Sequence, residues 1–181
     1  MFLKTYQWKG DNLVAMKHTK KFVVWIPVIL LLLLIYYFSS ADGVQSIGMS
    51  SLLTDKLVRV FTAVPLLDLN PVQEAFSVDL LHYIIRKTGH LSVYAALALA
   101  LAFALYRYRI SSRRLILWSL SFGFFYACTD EIHQLFVTGR SGRFTDVLID
   151  SLGMTLGIMI FYLLLYFIHS LKGVRTGKPE G

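Results

Sequence analysis

The chain has 181 residues, 56% of them hydrophobic, and a mean hydropathy of +0.59. Soluble domains hold about 45–50% apolar residues, and here the excess is gathered into long blocks, which argues against an ordinary soluble domain. A single cysteine, Cys128, excludes an internal disulfide, and the net charge of +7 leaves nucleic acid or an anionic membrane as partners until its distribution is read.

In chain order, a basic segment of residues 1–21 comes first. The first apolar block, Phe22 to Phe38, is preceded by Lys20-Lys21 and followed by Ser39-Ser40-Ala41-Asp42-Gly43. A secretory signal has the same layout, and Ser39-Ser40-Ala41 would serve as its cleavage site. The block is longer than the roughly 7–15 residues of such a core, so it reads as a retained span over 22–38, with Pro27 as a tolerable kink. An outer segment, 39–87, follows. Asn70-Pro71 with Gln73 and Glu74 has the form of a helix start, with a capping residue, a proline at the first position and an acid in the first turn. Val72, Phe76, Leu80 and Tyr83/Ile84 then recur at helical spacing. Leu53, Leu57, Val60 and Phe61 suggest a shorter helix before Pro65. Such apolar faces suit the membrane surface or a cap on the bundle.

Three further spans are expected at about 88–106, 115–137 and 146–168, each near the ~20 residues needed to cross a bilayer. A basic tail, 169–181, ends the chain. Trp8, Trp25, Trp118 and several tyrosines fall near span ends, as an aromatic belt does. The fold class is therefore an all-α integral membrane protein with four transmembrane helices and an extracytoplasmic amphipathic segment between helices 1 and 2.

The charges orient it. Lys4, Lys9, Lys17, Lys20 and Lys21 precede the first span. Arg107, Arg109, Arg113 and Arg114 lie between the second and third, and Lys172, Arg175 and Lys178 follow the fourth. These twelve of the 18 basic residues share one side with only Asp11 and Glu180. The positive-inside rule makes that side, with both termini, cytoplasmic. The basic excess is then a topology signal with an affinity for anionic lipid, and no nucleic-acid module is expected.

One polar insertion interrupts the apolar half of the chain. Lys87 and His90 open the second span, and Asp130, Glu131, His133 and Gln134 close the third. Arg140 and Arg143 occupy the short loop, and Asp146 and Asp150 open the fourth. All fall at the extracytoplasmic end. Ionisable groups at such depths cost several kcal/mol unless paired or wetted. At about 100° per residue, Asp130, His133 and Gln134 share a face with Val137, and Glu131 lies about 100° round from Asp130. Lys87, His90 and Tyr94 share another face. Asp146, Asp150, Gly153 and Gly157 form a stripe whose glycines permit close helix approach, so its carboxylates aim at a neighbouring helix.

These residues resemble the VanZ-like membrane proteins. The matching runs are Asp130-Glu131-x-His133-Gln134, Gly139-Arg140-Ser141-Gly142, Asp146-Val-Leu-Ile-Asp150-x-x-Gly153, and the earlier Lys87-x-x-His90-x-x-x-Tyr94. The resemblance covers residues 20 to 168, about the whole bundle. Asp150 stands where the family often has Asn. The family takes its name from a protein linked to low-level resistance to the glycopeptide teicoplanin, and most members have no known activity. The resemblance implies architecture and site more than a reaction.

Several readings of the cluster stay open. Arg140 and Arg143 suit a phosphate or carboxylate held by a guanidinium fork, as in a lipid or lipid-linked cell-wall precursor headgroup, with Lys87, His90, Tyr94, Gln134, Asp146 and Asp150 completing the binding site. An integral-membrane hydrolase or transferase would use His133 or His90 as general base with Glu131 or Asp130 tuning it, although no serine or cysteine sits in a recognisable nucleophile motif and Ser141 is isolated. A purely structural network would pair Asp130, Asp146 and Asp150 with Lys87, Arg140 and Arg143. A metal held by Asp130-x-x-His133 with His90 has only one such element and no His-Glu-x-x-His motif, so no metal or cofactor is expected. A transporter finds little room in four spans without a broken-helix repeat. The remaining histidines, His18, His82 and His169, read as surface or interface residues. The expected partners are membrane lipids, and the oligomeric state stays open.

Overall fold

The computed structural model describes residues 22–40 and 71–176, with side chains over 22–40 and 80–171. The shorter helix expected around Leu53–Phe61 and the basic segment 1–21 lie outside the described residues. Among the described residues there are four α-helices and no strand: α1 (Ile26–Ser40), α2 (Pro71–Arg107), α3 (Ser112–Gln134) and α4 (Phe144–Thr176).

α2 begins at Pro71, where the cap pattern places a helix start, and runs unbroken for 37 residues. At about 1.5 Å per residue it is roughly 55 Å long, well beyond a hydrocarbon core of about 30 Å. The amphipathic segment before Lys87 is thus a continuation of the apolar helix and not a separate element. No break occurs because Lys87, Thr88 and Gly89 include nothing that removes a helical hydrogen bond as proline would. The stretches Leu80–Arg107 and Phe144–Leu171 are each long and apolar enough to cross a membrane. α1 is a shorter apolar helix, preceded by a turn in which the Trp25 amide donates to Phe22 O at 3.0 Å.

The largest interface joins α2 to α4; α3 packs on both, and α1 packs on α2 and α3. The glycine stripe explains the closeness of α2 and α4. A Cβ on Gly153 would meet Leu91 O, and one on Gly157 would meet Ala95 O, so the backbones touch where no side chain intervenes. Buried Tyr94, Leu97, Ala98 and Leu101 of α2 meet Val147, Met154 and Ile158 of α4, with Ala127 of α3 and Val28 and Ile35 of α1 in the same core.

α1 is pinned at three heights. Near one end the Trp25 indole N–H donates to the Tyr108 hydroxyl at 3.2 Å, and the Tyr126 hydroxyl donates to Leu32 O at 2.8 Å further along. At the other end Arg140 Nη2 donates to Phe38 O at 3.0 Å. The α2–α3 turn therefore lies beside the start of α1, and the α3–α4 loop beside its finish.

Each turn has a local cause. At the end of α2 the Ile110 amide donates to Leu105 O at 3.3 Å and the Arg109 amide to Tyr106 O at 2.9 Å, with Arg109 at φ 58°. That is a Schellman cap with a non-glycine residue in the left-handed position, and Ile110 and Leu105 supply its apolar contact. α3 unwinds through three successive short-range bonds to a loop that turns at Gly139, φ 74°, where a side chain would be strained.

Candidate functional site

The α3–α4 loop, the end of α3, the first turns of α4 and the middle of α2 converge at one end of the bundle. Lys87 and Asp146 form an ion pair, each side chain 14% exposed. Lys87 also sits over the Tyr83 ring, 5.4 Å from its centre. Asp146 lies in the first turn of α4, where the helix dipole favours a negative charge. One turn on, Asp150 is fully buried, with its Oδ1 3.6 Å from His90 Nδ1. Of the pairings expected for a structural network, Lys87–Asp146 forms. Asp150 faces His90 and not an arginine, and the Arg143 guanidinium makes no ion pair among the described residues.

Asp130, Glu131 and Gln134 are all buried, whereas His133 is only partly so. The buried face of α3 is thus Asp130-Glu131-Gln134, which differs from the expected grouping of Asp130, His133 and Gln134. The reason is angular. Glu131 and His133 lie about 80° to either side of the Asp130/Gln134 line, so the neighbouring elements decide which turns inward. The α3–α4 loop folds over Glu131, and α1 lies over His133. The Glu131 carboxylate accepts the Arg143 amide at 2.8 Å and Gln134 Nε2 at 3.3 Å. A Cβ on Gly142 would meet Glu131 O, so the loop lies directly on the helix. Glu131→Ala is expected to lose about 1.5–3 kcal/mol, the range for hydrogen bonds to a charged group. Thermal melting should show this loss, with faster proteolysis in the loop than in the unmutated chain.

His133 is held elsewhere. Its ring stacks on Tyr36 at 5.3 Å, and its Nε2 lies 3.2 Å from Ser40 Oγ. The Ser40 hydroxyl gives its one proton to Tyr36 O at 2.7 Å, so His133 Nε2–H is the donor in this pair. The contact therefore orients α1; it does not activate Ser40. Ser141 is exposed in the loop.

Two features of the site were not anticipated. Arg86 lines the same cleft as Lys87, Arg140 and Arg143, with His90, Gln134 and Asp146 beside them. Its neighbour Lys87 was the only signal for it. Ser39 is buried, and its hydroxyl lies near Asp130 but outside hydrogen-bond geometry. Nothing in its sequence context marks it, since the same run resembles a cleavage site.

Beneath the cleft, His90, Asp130 and Asp150 each offer a ligand atom, all within 4.8 Å of one another. The Asp130-x-x-His133 pair read from spacing is therefore not the one brought together: Asp130 and His90 meet, with Asp150 in place of His133.

The VanZ/LLP1 family model matches residues 24–166, which takes in all of α1 and α3, most of α4 and the whole polar site. No curated protein and no solved structure matches the chain. Together with two helices long and apolar enough to cross a bilayer, the family match marks a membrane protein. A match over most of the chain, carried through the residues that build the cleft, means that the protein belongs to the VanZ/LLP1 family.

Proposed function

We propose that this is a four-span membrane protein with both termini cytoplasmic, whose cleft recognises the anionic headgroup of an envelope lipid or a lipid-linked cell-wall precursor at the outer leaflet. The observation that carries this reading is the lining of the cleft: Arg86, Lys87, Arg140 and Arg143 against a single acid, Asp146. Lys87 answers that acid, and the Arg86 and Arg143 guanidinium groups in the same lining are suited to bidentate binding of phosphate or carboxylate.

Placement supports it. The cleft is at the end of the bundle away from the Arg107–Arg114 turn, and the positive-inside rule makes that end extracytoplasmic. Apolar side chains such as Leu33, Phe125 and Met159 are exposed along α1, α3 and α4, as lipid-facing residues are. Val28, Ile35 and Ser39 of α1 are buried against the other helices, which favours a retained first span over a removed signal. Glycopeptides act on cell-wall precursors at the same leaflet, so a teicoplanin-type resistance effect is compatible with this site.

The test is lipid retention by the full chain, moved from nanodiscs of phosphatidylglycerol or phosphatidylcholine into the mass spectrometer under native conditions. Phosphatidylglycerol should be retained preferentially. Arg143→Ala should weaken its retention about tenfold, the effect of losing one charged contact of roughly 1.4 kcal/mol, and Arg86→Ala should act in the same direction. Equal retention of the two lipids, or no change in either variant, would overturn the reading.

A further inference from the structure

Below the cleft the charges do not balance. Asp130, Glu131 and Asp150 are 6%, 5% and 0% exposed, and among the described residues the nearby lysine, Lys87, is taken by Asp146. Glu131 is satisfied by the Arg143 amide and Gln134. Asp130 receives Gln134 Nε2 only at 3.5 Å. Among the described residues both Asp150 oxygens lack any hydrogen bond, and so does the fully buried Tyr94 hydroxyl, one turn along α2 from His90. Uncompensated buried carboxylates are expensive and call for a positive counterpart.

We propose that His90, Asp130 and Asp150 bind one divalent transition-metal ion, of the zinc or manganese class. The donors are one imidazole nitrogen and carboxylate oxygens, a set that suits Zn²⁺ and tolerates Mn²⁺. Bonds of about 2.0–2.2 Å let two ligands stand at most ~4.4 Å apart, and the present spread of 4.8 Å closes with a small turn of the side chains. The three ligands come from α2, α3 and α4, so the ion would lock three helices at the depth where the cleft begins. His90 also lines the cleft, which places an open side of the ion towards any bound headgroup. The proposal does not depend on headgroup recognition, because it is read in the absence of added lipid.

The experiment uses the full chain in detergent, stripped with chelator and titrated with ZnCl₂ or MnCl₂ by calorimetry, with thermal melting in parallel. One ion per chain and a rise in Tm are expected. Asp150→Asn and His90→Gln should each weaken binding by more than ~100-fold, beyond the ~10–100-fold seen for outer-shell partners. His133→Gln should bind as the unmutated chain does. If Asp150→Asn does not fold, His90→Gln decides. Absence of binding at micromolar ion, binding by both ligand variants as tight as by the unmutated chain, or an Asp150→Asn chain more stable than the ion-saturated original would overturn the proposal.

Discussion

Leucine in place of Gly157 is expected to lower stability by about 3 kcal/mol or more, at the upper end of overpacking costs. For a chain of this size that corresponds to a fall in Tm of about 6–12 °C at roughly 2–4 °C per kcal/mol. Even the first added carbon would meet Ala95 O, with Ala98 Cβ at 2.8 Å and Ala95 C at 2.9 Å. Two of these three obstacles are backbone, so relief requires α2 and α4 to separate along their main interface. Gly123→Ala is the informative contrast. The three atoms nearest its added carbon all belong to Met154, namely Cε, Sδ at 2.6 Å and Cγ at 2.8 Å, the flexible part of a thioether chain. That substitution should cost no more than about 1 kcal/mol. Similar losses for the two variants would show that the α2–α4 contact is not the rigid seam of the bundle.

Lys87→Met is expected to cost about 2–4 kcal/mol, somewhat below the 3–5 of a fully buried pair because both side chains retain some exposure. The substitution leaves the Asp146 carboxylate without its cation in a site only 14% exposed, and also removes the charge over Tyr83. The position of Asp146 at the start of α4 offsets part of the loss through the helix dipole. The double replacement Lys87→Met with Asp146→Leu should recover most of the stability, since no charge is then stranded. A double variant as unstable as Lys87→Met alone, in the same detergent melt, would mean that the cost lies in packing and not in the unpaired acid.

The parts of this architecture that were legible carry their own spacing. Asp146, Asp150, Gly153 and Gly157 recur every three or four residues, and the glycines add a reason for a neighbour to come close. The structure puts that stripe against Leu91 and Ala95. Lys87, His90 and Tyr94 likewise share one face of α2, with Tyr94 fully buried. The orientation of Glu131 and His133 could not be read in the same way. Both flank the inward line of α3 at similar angles, so only the positions of α1 and the loop assign them. The continuity of α2 was hidden by polarity. Lys87, Thr88 and His90 look like the edge of a span, yet a helix keeps its hydrogen bonds across such an edge. Arg86 and Ser39 were missed because adjacency in space is set by elements distant in sequence.

The outward placement of the cleft is the claim on which the proposed recognition rests, and one labelling experiment tests it directly. In a Cys128→Ser background, Ser141→Cys puts a thiol at an exposed position of the α3–α4 loop, and Tyr108→Cys puts one in the exposed turn at the opposite end. A membrane-impermeant maleimide added to intact cells should label Ser141→Cys at once and Tyr108→Cys only after permeabilisation. The reverse order would place the cleft in the cytoplasm and contradict recognition of an outer-leaflet headgroup.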